Sequence, residues 1–280
     1  MTARPRSRPA AGHARRTRPV RRASARLSPI RAGAALAMLA SAGAIYGVAA
    51  SSAFAVNQLD VEGLRYSDAG EVRARLDAAT GANLFALETD PLEARLLELP
   101  TIATASVAGR LPGTLEVRVV ERVPVLVWQV GERRLLADAG GKLFAELGGA
   151  VSADAASLPV VVDERADSAG LVVGAMLDPI DRDAATRLGS LRPSDVGSAA
   201  PGLGIRVTDE HGFIVRASPS GWLAIFGFYT PSLRTPDMIP GQVRLLRSLL
   251  LEQGERNVAR IVLASEEAGT FTTPRPSQAP

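Results

Sequence analysis

Residues 32–50 carry no charged side chain. Leu36, Met38, Leu39, Ile45, Tyr46 and Val48 supply the bulk, and Ala, Gly and Ser supply the rest. A helix needs about 20 apolar residues to cross the hydrocarbon layer. The stretch therefore predicts a transmembrane helix, with everything after it folding on one side. Residues 1–31 hold ten Arg and no acid, with little to bury, and predict a disordered basic tail. Such a tail fits either a nucleic-acid arm or a positive-inside flank that stays cytoplasmic. The adjoining spanning segment favours the flank and no nucleic-acid partner. A secretory leader cut after Ala53-Phe54-Ala55 is the rival reading. Against a cut stand the length of the basic region and the loss of Phe54 from the first strand.

Charge is divided along the chain. Of the 32 Lys and Arg, ten lie in that tail, so residues 32–280 hold 22 bases against 29 acids, a balance of −7. The chain has no Cys, which excludes disulfides, thiolate zinc sites and cysteine nucleophiles. It has two His, and His13 lies in the tail, so a triad or a His metal site would have to be built around His211. At 280 residues there is room for two ordinary domains.

Residues 54–125 read as strand, helix, helix, strand, strand. Val56, Leu59 and Val61 mark the first strand, with a bulge or late start between 56 and 59, and Gly63 ends it. Ser67 is the expected N-cap of a helix to Ala79 that buries Val72, Leu76 and Ala79, and Gly81 stops it. Asn83, Leu84 and Phe85 are expected to tuck under that helix. Asp90 as N-cap, Pro91 at the first position and Glu93 at the third predict a second helix burying Leu92, Leu96 and Leu99. Residues 102–107 form a strand. After the turn at Leu111-Pro112-Gly113, Leu115, Val117 and Val119 alternate with Glu116 and Arg118. Pro124 predicts a strand edge or end.

These residues resemble the FtsQ/DivIB family of bacterial cell-division proteins, which carry a POTRA domain. Phe54, Val56, Leu59, Val61, Glu62 and Gly63 carry the resemblance first, followed by Gly81, Asn83, Leu84 and Phe85. Leu99, Pro100, Ala105, Val107, Arg110, Leu111 and Pro112 continue it. Thr114, Leu115, Val117 and Val119 lead into Glu121-Arg122-Val123-Pro124-Val125 and Trp128. Thr101 departs from the pattern, since the family usually has an aromatic there. The implied fold is α+β: a transmembrane helix, a POTRA domain (β-α-α-β-β), then a second mixed α/β domain with an antiparallel-rich sheet. The expected divisions are a tail over 1–31, the span over 32–50, the POTRA domain over 54–125, the β domain over 126–272 and a disordered tail over 273–280.

In the second half, residues 125–130, 135–138 and 143–147 read as strands about an Asp138-Ala139-Gly140-Gly141 turn, and residues 158–162 as another. Asp178 and Pro179 open a helix with Ile180, Ala184, Leu188 and Leu191 on one side. Residues 205–207, 213–215 and 222–228 predict an antiparallel meander. Asp209, Glu210 and His211 fall in one tight turn, which favours a solvated hairpin over a metal site. A helix over 240–253 and a strand over 258–264 come next. The family strand usually ends Asp-hydrophobe-Arg; here it reads Val262-Leu263-Ala264. Residues 269–272 are expected to add a short edge strand.

The resemblance implies a single-pass scaffold of the division machinery at the cell membrane and septum, not an enzyme, and no cofactor or metal is expected. In that family the terminal strands bind the small bitopic coiled-coil proteins FtsB and FtsL (DivIC in some lineages). The physical means is strand addition to an open edge. Ser265, Glu266, Glu267, Gly269 and Phe271 are the expected contact residues, although a frayed, solvated terminus explains them equally. Asn83 and Phe85 offer a secondary docking surface for other membrane components. A membrane-anchored binding module unrelated to division, or an exported wall-acting enzyme, are the alternatives.

Overall fold

The computed structural model describes residues 29–148, 153–219 and 221–274. The arms 1–28 and 275–280, expected to be disordered, lie outside them. The chain divides into residues 1–51 and residues 52–280. In the first unit, helix α1 (Pro29–Ala49) is 21 residues long, with none of them buried, and is long and apolar enough to span a membrane. It starts three residues before the expected boundary, because Pro suits a first helical turn, where its missing N–H is not needed.

The second unit begins with a three-stranded sheet. Strands β1 (Gln58–Glu62), β2 (Ile102–Arg110) and β3 (Thr114–Glu121) lie in the order β1-β3-β2, with β1 parallel and β2 antiparallel to β3. Helices α2 (Ala69–Leu76) and α3 (Asp90–Leu97) cover one face. Val72, Leu76, Leu92, Leu96, Leu99, Leu115, Val117 and Val119 meet there in one buried cluster. Gly63 ends β1 at φ +95°, and a Cβ there would lie 2.0 Å from the Val119 carbonyl oxygen. Only glycine fits that approach.

Local signals placed both helix starts one residue off. The cap of α2 is Asp68, whose carboxylate accepts from the Glu71 N–H at 3.0 Å. Ser67 is engaged elsewhere: its N–H donates to Glu121, and its hydroxyl lies 2.5 Å from that of Thr101. The α2 helix ends at Leu76, and a 3-10 turn (Asp77–Ala79) completes the run. Thr89, not Asp90, precedes α3, and Glu93 accepts from the Val107 N–H of β2 at 2.8 Å. Phe85 does not tuck under the helix. It is exposed and meets Phe54 edge-on, with ring centroids 5.1 Å apart.

The larger sheet has nine strands. They are β4 (Pro124–Val130), β5 (Arg133–Asp138), β6 (Leu143–Glu146), β7 (Val160–Asp163), β8 (Gly202–Thr208), β9 (Gly212–Ser218), β10 (Leu223–Gly227), β11 (Arg260–Leu263) and β12 (Gly269–Thr272). Their order is β12-β11-β10-β9-β8-β7-β4-β5-β6. The pairs β10–β11, β7–β8 and β4–β7 are parallel and the others antiparallel. Pro124 is not at a sheet edge: β4 is interior, and the proline is its first residue, at a register shift. A one-turn helix α4 (Ala153–Ala156) comes after β6. Helices α5 (Pro179–Gly189) and α6 (Ile239–Gln253) cover one face, where Trp128, Trp222, Phe213, Phe226, Leu188 and Leu246 are buried. On the opposite face, Tyr66 from the β1–α2 loop packs on Phe144, Val127 and Leu136.

The two sheets join at one end of β3. The buried Glu121 carboxylate accepts from the N–H groups of Arg65 (2.9 Å), Tyr66 (2.6 Å) and Ser67 (2.8 Å). Arg122 donates through Nε to the Pro100 carbonyl at 2.9 Å and through Nη1 to Asp138 at 2.7 Å. The Glu-Arg dipeptide is therefore a joint: the glutamate gathers a loop of the smaller sheet, and the arginine ties that sheet to β5.

Candidate partner-binding edge

The open end of the large sheet is built by α6, β11 and β12. Gln242 of α6 has no exposure to solvent. Its Nε2 donates to the carbonyls of Phe226 (3.2 Å) and Leu263 (3.1 Å), and its Oε1 accepts from the Tyr229 hydroxyl at 2.8 Å. Burial pushes the Tyr229 phenol well above its ordinary value. Arg234 donates to the carbonyls of Phe226 (2.5 Å), Leu263 (2.6 Å) and Ala264 (2.5 Å). Two side chains thus satisfy the ends of β10 and β11, where the parallel ladder stops. Neither residue was singled out from the sequence. An Arg and a Gln that reach the same carbonyls from 8 to 29 residues away carry no local pattern.

After β11 the chain reverses through residues 265–268. Ser265 forms the turn: its hydroxyl accepts from the N–H of Glu267 (3.2 Å) and Ala268 (3.0 Å), and its own N–H donates to the Ala268 carbonyl at 3.1 Å. The hydroxyl is therefore spent on the turn. Glu266 is exposed, with its stem against the start of α6, where a Cβ added at Gly241 would meet it at 2.6 Å. Glu267 is exposed on the turn. Gly269 lies beneath Leu245 and Leu249 of α6. Phe271 pairs with Ile261, whose side chain is buried under the helices, so Phe271 stands on the same face, 38% exposed.

The strand β12 has one neighbour, β11, among the described residues. Two other sheet margins are partly covered. At the β6 margin, Leu143 exchanges hydrogen bonds with Gly174 and Ala175. On β2, the side chain of Glu93 takes the Val107 N–H. An uncovered edge offers a row of N–H and C=O groups for another chain to pair with. Here the row lies beside the half-buried Leu245 and Leu249.

The turn acids and histidine do not converge. Asp209 accepts from the Ala166 N–H at 2.9 Å, whereas His211 Nε2 lies 2.8 Å from Arg260 Nη2 and 3.6 Å from Glu210. No group of three or more potential metal ligands occurs among the described residues. One ionic cluster escaped the sequence reading. Asp163 accepts from Trp128 Nε1 (3.1 Å) and from Arg165 (2.8 and 2.9 Å), and Arg165 reaches Asp181 at 2.7 Å. Burial raises the Asp163 carboxyl, but the Arg165 and Ser168 hydrogen bonds outweigh it and hold the group below the usual range. At Asp181 burial wins and pushes the carboxyl up against the pull of Arg165. Arg165 and Asp181 line a cleft of about 360 Å³ with Phe213 and Tyr229. The Asp-x-Arg spacing was the available signal; the helix that brings Asp181 was not.

The family described as "POTRA domain, FtsQ-type" matches residues 54–122, the stretch that builds the smaller sheet and its joint. A protein named "Cell division protein FtsQ" from Jannaschia sp. (strain CCS1) is 34% identical over 116 residues, 41% of this chain and 37% of that relative. Residues 54–122 thus match an FtsQ-type POTRA domain. A second relative of that name, from Rickettsia bellii (strain RML369-C), is 29% identical over 96 residues, 34% of this chain and 36% of its own length. A third, from Syntrophotalea carbinolica, is 34% identical over 98 residues, 35% of this chain and 34% of its own. The chain thus spans little more than a third of the length of the curated relatives it matches. The resemblance carried by the Glu121-Arg122 run has a structural basis: Glu121 gathers the 65–67 loop of the POTRA domain, and Arg122 ties that domain to the large sheet.

Proposed function

We propose that this chain is a single-pass scaffold of the bacterial division machinery that captures a partner by strand addition along β12. In this reading residues 1–31 are cytoplasmic, 32–50 span the cell membrane, and the POTRA domain (54–125) and β domain (126–272) project outside at the septum. The partners are small bitopic coiled-coil proteins of the FtsB and FtsL (DivIC) type, and the chain itself carries out no catalysis. The carrying observation is the single-neighbour edge of β12 beside Leu245 and Leu249. An incoming strand would pair its backbone with residues 269–272 and lay alternate apolar side chains beneath α6. Gly269 and Phe271 would contact it directly, Glu266 and Glu267 would flank it, and Ser265 would shape the turn that presents it.

Pull-down of the coiled-coil partner by the full chain tests this. Deleting residues 265–272 should abolish capture and leave the body folded. Successive residues of an edge strand point their N–H groups alternately inward and outward. Proline at one of positions 270 and 271 should therefore block capture with little loss of stability. Undiminished capture by the deletion variant and by both proline variants would refute strand addition. A fluorescent fusion should concentrate at midcell, whereas a uniform outline would favour a binding module unrelated to division. The Arg165–Asp181 cleft keeps one other reading open to test, an exported wall-acting enzyme, which predicts wall degradation by the purified body.

A further inference from the structure

Three apolar side chains gather at the end of the POTRA sheet far from the joint. Phe54 and Phe85 meet edge-on, and Phe85 is 60% exposed. Leu111, in the turn between β2 and β3, is 56% exposed. Backbone contacts bring these segments to one place. Leu84 donates to the Phe54 carbonyl at 2.9 Å, and Asn57 donates to the Gly113 carbonyl at 2.9 Å. The Leu84 side chain lies against Gly109. The far end of β3, eight residues on, is where Glu121 and Arg122 make the joint. At about 3.3 Å per residue, that separates the tip from the large sheet by about 26 Å.

The tip is also where the chain enters the body. Helix α1, 21 residues long at 1.5 Å each, is about as long as the hydrocarbon layer is thick. The interfacial layer beyond adds roughly 5–7 Å on each side. Phe54 comes five residues after Ala49, and residues 52–54 form a 3-10 turn. The connection can extend at most about 18 Å, and the turn shortens it.

We propose that this tip, formed by Phe54, Phe85 and Leu111, beds into the interfacial layer of the membrane that α1 spans. This rests on the reading of α1 as a membrane anchor. The occupant is lipid because the tether holds these side chains within a few residues of the bilayer surface. Phenylalanine and leucine on a folded module are the side chains that partition into such a boundary. The contact gives the body a second point of attachment, so it stands on the membrane instead of pivoting on a flexible linker.

The chain has no native Cys, so single labels report cleanly. The full chain would be reconstituted into phosphatidylethanolamine–phosphatidylglycerol vesicles with acyl chains brominated near the headgroup or, for the label within α1, near the methyl end. An environment-sensitive fluorophore would be placed at F85C, at L111C, at the exposed turn residue E132C, or within α1 at L39C. Labels at 85 and 111 should be blue-shifted and quenched at least threefold more than the label at 132. If L39C is quenched but 85 and 111 behave like 132, the tip proposal fails and the anchor stands. If L39C is not quenched, the anchor reading and the tip proposal fail together. A blue shift at 85 and 111 without bromine quenching would mean a second copy covers the tip, and would overturn the lipid assignment.

Discussion

Arg122 Nη1 lies 2.7 Å from Asp138 Oδ2, and through this pair a residue just before the large sheet grips the end of its second strand. Both side chains are largely buried, at 27% and 13% exposure. Asp138 also takes the Lys142 N–H at 2.8 Å, so one carboxylate organises both the joint and the β5–β6 turn. Arg122→Ala removes the ion pair and the bond to Pro100. It should cost about 1–3 kcal/mol, the range for hydrogen bonds to charged groups. Urea unfolding measures the loss, and limited proteolysis between the two sheets should accelerate.

Glu121→Gln keeps the shape but replaces one of two acceptor oxygens with a donor. That donor would face an N–H group from the 65–67 loop. A buried donor left facing a donor costs roughly 1–3 kcal/mol. Hydrogen exchange should show faster opening of the Arg65, Tyr66 and Ser67 amides, with the α6 amides unchanged.

Gln242→Leu is close in volume but strips hydrogen bonds from the Phe226 and Leu263 carbonyls and from the Tyr229 hydroxyl. The two carbonyls keep Arg234, so the Tyr229 hydroxyl is the group left without its partner, and the expected loss is about 1–3 kcal/mol. Because Leu263 pairs with Gly269, partner capture along β12 should weaken with it. Equal stability of the variant and the parent in urea titration would contradict this account.

Glu255 sets a pH dependence. Burial raises its carboxyl, but hydrogen bonds from Ser198, the Ala199 N–H and Trp222 outweigh burial and hold it below the usual range. A depressed native value means the unfolded chain binds the proton more readily. The stabilisation is therefore present above the unfolded carboxyl value, near about 4.3, and is lost as pH falls through the native one. Asp163 acts in the same direction. Unfolding free energy measured against pH should fall below about pH 4. Glu255→Gln should flatten part of that slope while its Trp222 contact persists through the amide oxygen.

Gly63→Ala forces a Cβ to within 2.0 Å of the Val119 carbonyl oxygen at a positive φ. The smaller sheet must shift to admit it, at an expected cost of at least about 2 kcal/mol by thermal unfolding. Gly81→Ala keeps the positive-φ strain but meets open space, so it should cost less.

The sequence by itself determined the order of elements, a helix long and apolar enough to span a membrane, and the faces that are buried. Those come from local periodicity: Leu92 and Leu96 share a core because a helix puts residues four apart on one face, and Leu115, Val117 and Val119 because a strand puts alternate residues on one face. It also placed a short edge strand over residues 269–272. Tertiary structure decided the rest. Ser67 lost the α2 cap because its hydroxyl pairs with that of Thr101, 34 residues away, and Glu93 left its own helix end for Val107. Phe85 turned outward because Phe54 and the chain entry lie beside it. That β12 has one neighbour depends on where eight other strands settle. Hydrogen-bond partners far apart in sequence are chosen by the packed sheet, and no local pattern encodes them.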